Sequence, residues 1–324
     1  MTPAPFLSLN AERTADALAF PSLIPALRDA FASGASVPLR HHHAIPQPDG
    51  TIATLLLMPA WQDGGFLGVK IVSVFPGNAA RNVPALHSTF LLSDGTTGAP
   101  LGLLDGNEIT SRRTAGVAAL AASFLSRPDA STLLIVGAGR VGRLLAPAFR
   151  EVRPIQQVNI FARLPEKAEA LVSQLREEGF AAHVVSHLEN AVRSADIISC
   201  ATLATEPLIR GEWLKPGAHL DLIGAFTPAM READDVCLKR GRLFIDTPAA
   251  LHEAGDLTQP LADGVIDETD VCATLGDLCA GRLKGRWSND QITIFKSVGT
   301  ALADIAAGAL AYRTATVPSP ASAE

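Results

Sequence analysis

Two groups of residues in this chain have types and spacings that could do chemistry. The first is Gly137-Ala138-Gly139-Arg140-Val141-Gly142, a G-x-G-x-x-G spacing. It follows the apolar run TLLIV and opens a helical stretch, the context in which such glycines hold a dinucleotide. Gly137 permits a tight turn, Gly139 lets backbone approach a pyrophosphate, and Gly142 lets the next helix pack close to the strand. The helix N-terminus adds N–H groups and partial positive charge for the anion. The second group is cationic: Lys70 inside FLGVKIVSVFPGN, Arg113 in ITSRRTAGV, and Arg40 before HHHAIPQPDG. Such cations can bind an anionic substrate, and a desolvated lysine is primed for acid–base work.

Each cation also has a plainer reading. Lys70, between Val69 and Ile71, either points to solvent from an open sheet face or sits in a pocket, and spacing leaves both open. Arg113 falls in the first turn of a helix predicted over 117–125 with Thr110 or Ser111 as its cap. The macrodipole disfavours a cation there, which points to another role, and Arg112 beside it is the solvated partner. Arg40 alone reads as surface charge. His41-His42-His43 invites a metal, but successive strand residues face opposite sides, so no metal is expected.

The segment NIFARLPEKAEAL bears on the nucleotide. An NAD site usually places Asp or Glu about 20 residues beyond the glycines to bond the ribose 2′-OH. Here Arg163 stands at the strand end, and Arg140 lies in the glycine loop. Two guanidinium groups suit a 2′-phosphate. The expected cofactor is therefore NADPH, with NADH possible.

The elements that must position these groups fall into two patterns. Residues 51–61, 66–75 and 88–94 read as strands separated by Asp-Gly and Pro-Gly turns, with no helices between them, so an antiparallel or mixed sheet is expected. From Ser131 strands alternate with helices, which predicts a parallel, doubly wound sheet. An apolar helix over 297–312 closes the chain, and the small, Pro-rich tail 314–324 is expected to fray. The fold class is α/β: a Rossmann-type domain over 116–299, plus a smaller α+β substrate and dimerisation domain from 1–115 and 300–324.

Bulk composition narrows the function classes. The 324 residues are 48% hydrophobic and 19% charged with a net charge of −6, which is globular and lacks a basic nucleic-acid footprint. There is no run of about 18 apolar residues for a membrane span, and the first 20 residues do not read as a secretory leader. The four cysteines form no C-x-x-C. A cytoplasmic protein with reduced thiols is expected, with neither nucleic acid nor membrane as partner.

In order along the chain, GVKIVSVFPGN, LHSTFLLSDGTTGAPLGLLDGNEITSRRTA, IVGAGRVG, ATLATEPLI, IGAFTPAMRE and ITIFKSVGTA resemble the ornithine cyclodeaminase/mu-crystallin family over about residues 35–312. The resemblance implies a dinucleotide-binding domain, a discontinuous smaller domain and a homodimer. It implies that Arg40, Lys70 and Arg113 surround the substrate carboxylate and reacting C–N centre. His87, Ser88, Thr89 and Arg113 would lie near the nicotinamide and phosphates. Ala138, Arg140 and Val141 would contact the pyrophosphate, and Ala162, Arg163 and Leu164 the adenosine ribose. Thr202, Leu203 and Ala204 would flank the cofactor. Ile223 and Gly224, with Lys296, Ser297 and Gly299, would approach the nicotinamide.

The departure is Phe226. Cyclodeaminases of the family carry an aspartate in this loop, and their chemistry needs a base near the amine. A phenyl ring supplies none. The loop resembles the branch that reduces cyclic ketimines, 1-pyrroline-2-carboxylate to L-proline and 1-piperideine-2-carboxylate to L-pipecolate, products that feed proline and hydroxyproline metabolism. The expected activity is an NAD(P)H-dependent oxidoreductase acting on C=N. The rivals are ornithine cyclodeaminase or alanine dehydrogenase on the same scaffold, and a non-catalytic protein that binds NADPH and a small carboxylate.

Overall fold

The computed structural model describes residues 6–81 and 83–316, with only the backbone of Ala79. Residues 1–5 of the stretch read as lacking a leader lie outside the described residues. The chain divides into two compact units, Met1–Arg113 with Thr300–Glu324, and Thr114–Gly299.

Among the described residues, the first unit holds a six-stranded mixed sheet. Its strands are β1 (Leu7–Leu9), β2 (His41–Pro46), β3 (Ile52–Trp61), β4 (Phe66–Val74), β5 (Leu86–Asp94) and β6 (Pro100–Asp105). The order is β1-β6-β5-β4-β3-β2. β1 pairs with β6 in parallel, and every other pair is antiparallel. Acidic turn residues close the hairpins: Asp49 accepts from the Thr51 N–H, and Asp94 from the Thr96 and Thr97 N–H groups. The helices Phe20–Ser33 and Ala301–Thr316 pack on each other, and the latter lies along β3, β4 and β5. It can come close because the buried Phe90 ring sits between Gly68 and Gly308, where a Cβ on either would overlap the ring. This last helix runs to Thr316, so the start of the tail expected to fray is helical, and 317–324 lie outside the described residues.

The second unit holds an eight-stranded, wholly parallel sheet. Its strands are β7 (Thr132–Val136), β8 (Gln157–Phe161), β9 (Ala181–Val184), β10 (Ile197–Cys200), β11 (His219–Leu222), β12 (Arg242–Ile245), β13 (Val271–Thr274) and β14 (Thr293–Lys296). The order β13-β12-β14-β11-β10-β7-β8-β9 reverses direction beside β7. A doubly wound sheet opens a ligand crevice at the carboxyl ends of the strands flanking such a reversal. The fold is thus a Rossmann-type α/β sheet joined to a second sheet-and-helix unit.

One sequence expectation is corrected. The helix predicted from residue 117 spans Gly106–Leu125. Asp105 Oδ1 accepts from the Glu108 N–H at 2.8 Å and caps it, so Thr110 and Ser111 are interior. The acidic start, Asp105 with Glu108, suits the helix N-terminus better than a hydroxyl deeper in the sequence. Arg113 therefore lies two turns in, and its position owes nothing to the dipole.

Candidate functional site

Each unit carries its own group of candidate residues. In the first, β4 alternates so that Gly68, Lys70 and Val72 are buried while Ile71 is exposed. Lys70 is thus on the covered face, which settles the choice left open by its spacing. The last helix places Asp304 there, fully buried. Asp304 Oδ2 lies 2.7 Å from Lys70 Nζ, and Oδ1 accepts from Arg113 Nε at 2.9 Å. Burial lowers the Lys70 ammonium, Asp304 opposes the shift, and Arg113 and Arg40 add to it, leaving Lys70 at about 8. Burial alone would raise the Asp304 carboxyl, but the two cations outweigh it and hold it below the ordinary range. Three cations against one carboxylate make this cluster net positive, a charge that suits an anionic ligand. Asp304 was not expected from the sequence, because ALADIAAGAL reads as an apolar helix in which one acid looks like a surface position.

His87, Ser88 and Thr89 do not act as a block. Strand alternation leaves His87 and Thr89 exposed and turns Ser88 inward with Phe90. The Ser88 hydroxyl is buried and has no hydrogen-bond partner among the described residues. Arg40 is half-buried just before β2.

In the second unit the glycine loop joins β7 to the helix Gly142–Arg150. Gly137 has φ +110°, and a Cβ there would meet the Ala201 carbonyl oxygen at 2.6 Å. A Cβ on Gly142 would overlap the Gly137 carbonyl, while Gly139 faces open space. Two constrained glycines and one open one are what a pyrophosphate cradle requires. Ala138 is buried, Val141 is partly buried and Arg140 is exposed. Beyond β8, Ala162 is partly covered, and Arg163 and Leu164 are exposed. The exposed Arg140 and Arg163 thus stand in the loops that follow β7 and β8.

The far walls of the crevice hang on one side chain. Glu232 is fully buried. Its Oε1 accepts from the Thr202 N–H and hydroxyl, both at 2.8 Å. Its Oε2 accepts from Gly224 N–H at 2.9 Å and Ala225 N–H at 3.2 Å. The loop after β10, with Thr202, Leu203 and Ala204, is thereby joined to the loop after β11, with Ile223, Gly224 and Phe226. Gly224 must be glycine, since a Cβ would overlap the Thr202 backbone. Burial raises the Glu232 carboxyl to about 7, although Lys296 and the Thr202 donors oppose the shift.

A family model described as the ornithine cyclodeaminase/mu-crystallin family matches residues 9–317. The chain belongs to this family. A Delta(1)-pyrroline-2-carboxylate reductase of Paracoccus denitrificans is 40% identical over 281 residues, covering 82% of this chain and 87% of that protein. Among solved structures, a Thermococcus litoralis Delta(1)-pyrroline-2-carboxylate reductase in complex with NADH and L-proline superposes with a TM-score of 0.89 at 32% identity, over 96% of this chain and 97% of that one. An archaeal alanine dehydrogenase dimer with bound NAD gives a TM-score of 0.88 at 29% identity, over 96% of each chain.

In this member of the cyclodeaminase/mu-crystallin family, the Lys296 side chain is turned inward. It is fully buried, and Nζ bonds Asp256 Oδ2 at 2.8 Å in the interior of the second unit. Asp256 Oδ1 in turn accepts from the Glu232 and Ala233 N–H groups. Lys296 therefore braces the Glu232 segment through Asp256. Ser297 and Gly299 donate to Asp246 Oδ2, at 2.7 and 2.8 Å, which shapes the turn after β14. Phe226 is 48% exposed on the loop after β11. Among the described residues no cluster of three His, Cys, Asp or Glu is arranged to hold a metal, and His41 and His43 share one face of β2 with their rings edge to face.

Replacing Glu232 with Ala leaves four donors without their acceptor. Each buried unpaired donor costs about 1–3 kcal/mol. The expected loss is at least about 3 kcal/mol for Glu232→Ala and about 1 kcal/mol for Thr202→Val, which removes one hydroxyl. Urea unfolding measures both, and equal small losses would mean that the carboxylate does not hold the loops.

Proposed function

We propose that this protein is an NAD(P)H-dependent ketimine reductase that converts 1-pyrroline-2-carboxylate to L-proline and 1-piperideine-2-carboxylate to L-pipecolate. The observation that carries the reading is the buried, net-positive cluster of Lys70, Arg113 and Asp304, in which the lysine sits at about 8. It supplies a carboxylate anchor and a proton donor at one place. The relatives' names support the reduction of a cyclic imine, and NADH or NAD accompanies two of the similar structures.

The chemistry needs a hydride at C2 of the C=N bond and a proton at its nitrogen. The bound nicotinamide supplies the hydride. Arg113 and Arg40 hold the substrate carboxylate and so fix the face of the ring that is presented. Lys70 holds the proton for the imine nitrogen, whose π electrons become the N–H bond of the product. Phe226 offers an apolar wall to the ring methylenes and carries no group able to deprotonate an amine. Ser88, the Gly137–Gly142 loop, Thr202, Gly224 and Ser297 are the residues assigned to the cofactor, with Lys296 acting behind them.

Below about pH 8 Lys70 keeps its proton, and above it the donor is lost. The reduction rate, kcat/KM, is therefore expected to fall as pH rises through about 8. The test is oxidation of NADPH with 1-pyrroline-2-carboxylate, set beside pyruvate plus ammonia and beside ornithine alone. Turnover of the cyclic imine, its loss by at least 100-fold in Lys70→Ala, and no ammonia from ornithine are expected. Faster turnover of pyruvate plus ammonia would assign the chain to alanine dehydrogenation, and ammonia from ornithine to cyclodeamination.

NADPH is the proposed preference. Arg140 and Arg163 are exposed at the adenosine end, and no acid stands at the end of β8 to take a ribose 2′-OH. Arg163→Ala is expected to raise KM for NADPH roughly 10- to 100-fold while leaving NADH nearly unchanged, the scale of a lost charged hydrogen bond. An equal rise for both cofactors would remove Arg163 from 2′-phosphate recognition.

The proposed assembly is a homodimer through the sheet face opposite Lys70. There Pro59, Val69, Leu91 and Leu103 align across β3 to β6, with Leu57 and Ile71 in the next row. Ile71 and Leu103 are each 39% exposed. An apolar sheet face of this extent favours a second copy over water, and the archaeal alanine dehydrogenase is named as a dimer. Ile71→Asp is expected to yield monomers by sedimentation, and a wild-type monomer would end the proposal. No helix among the described residues is long and apolar enough to cross a membrane. The proposed place of action is the cytoplasm, where the buried thiols of Cys200 and Cys237 stay reduced.

A further inference from the structure

The Ala301–Thr316 helix is otherwise small and apolar where it meets the sheet, with Ala301, Ala303, Ile305 and Ala307 all buried. Asp304 is an exception that folding alone does not call for, because a buried carboxylate is expensive without converging donors. It lies in the first helical turn, where the macrodipole favours its charged form. Its two oxygens are divided, one to Lys70 Nζ at 2.7 Å and one to Arg113 Nε at 2.9 Å. Lysine and arginine side chains are long and have many rotamers, and a carboxylate that grips both removes that freedom. Binding Arg113 through Nε also orients the planar guanidinium, so its terminal nitrogens point along one direction for a carboxylate.

Resting on the ketimine reductase reading, we infer that Asp304 is a positioning residue that keeps Lys70 protonated and aimed at the imine nitrogen while it sets the plane of Arg113. The charged groups facing Lys70 are Asp304 from the last helix, Arg113 from the Gly106–Leu125 helix and Arg40 from the segment before β2. Only Asp304 favours the ammonium, and the two arginines and burial oppose it. With Asp304 removed, every remaining influence on Lys70 pushes its proton off. The lysine would then be neutral in the pH range where the wild type holds its proton, and a neutral amine donates no proton to an imine.

The test is Asp304→Asn, which keeps shape and removes charge. It is expected to lower kcat by at least tenfold, and to move the falling limb of the pH profile to below about 8. Competitive acetylation of Lys70 across pH, read by peptide mass spectrometry, needs neither cofactor nor substrate. It is expected to give a midpoint near 8 in the wild type and a lower one in Asp304→Asn. Asp304→Glu keeps the charge but shifts the oxygens, so kcat is expected to fall with the Lys70 midpoint nearly unmoved. It also serves if Asp304→Asn fails to fold, because a wild-type kcat in Asp304→Glu overturns the aiming role. Unchanged Lys70 midpoint and pH profile in a folded Asp304→Asn overturn the inference while the reductase reading stands. Absence of wild-type turnover overturns the reading alone, and the acetylation midpoints still decide whether Asp304 controls the proton on Lys70.

Discussion

A carboxylate cannot be buried without donors around it, and this one constraint organises both units. Asp304 joins the last helix to β4 and to the Gly106–Leu125 helix. Glu232 joins the loops after β10 and β11, and Asp246 holds the turn after β14. Asp196 takes Arg127, Lys215 and the N–H groups of Ser131 and Thr132, so it anchors the start of β7. In each case at least one partner is distant in sequence. Taking an ion from water costs several kcal/mol, and only convergence of several donors offsets that cost. A near-native arrangement that loses a single donor is therefore disfavoured, and the segments are held in one geometry more sharply than apolar packing would hold them.

The same constraint separates two lysines that look alike in the sequence. Lys70 and Lys296 both stand among apolar strand residues, both are buried, and each meets one aspartate. Their neighbours differ in sign. Arg113 and Arg40 face Lys70, so burial and repulsion together weaken its hold on its proton. Lys296 instead lies among acids, acting on both Glu232 and Asp221. A lysine crowded by cations has a proton to give near neutrality, whereas Lys296 spends its ammonium on a bond to Asp256 in the interior. The proposed catalytic role of Lys70 and the bracing role of Lys296 rest on this difference.

Much of the architecture was legible in the sequence because it is written in local signals. The glycine spacing after TLLIV and the strand–helix alternation beyond Ser131 point directly to a doubly wound sheet. Strands β1, β2, β6, β13 and β14 were not read from the sequence, and they take their identity from the neighbours they pair with. β14 lies late in the chain yet is inserted between β11 and β12, and no local pattern encodes such an insertion. The helix start at Gly106 was misplaced because Thr110 and Ser111 mimic a cap that Asp105 supplies. At the candidate site, Lys70 and Arg113 drew attention by their settings, whereas Arg40 alone read as surface charge. The acids that hold the buried lysines, Asp304 and Asp256, drew none: Asp304 is a lone acid in an alanine-rich helix and Asp256 one of several acids in its region, and both look solvated until the packing is known.

Phe226 shows what remains free once these constraints are met. The loop that carries it is fixed by the bonds from Gly224 and Ala225 to Glu232 and by the close approach of Gly224 to Thr202. Its ring is 48% exposed, so the core of the second unit does not depend on it. The side chain at this position can therefore change without disturbing the loop that presents it. A half-exposed phenyl leaves on the order of 100 Å² uncovered, and covering it with the methylenes of a ring is worth about 2 kcal/mol. An aspartate at the same place would have to lose water to be covered, and would be tolerated only opposite a cation such as a substrate ammonium. On the proposed reading, the phenyl favours a ring that arrives already closed, and a carboxylate favours an open-chain diamine that has yet to close.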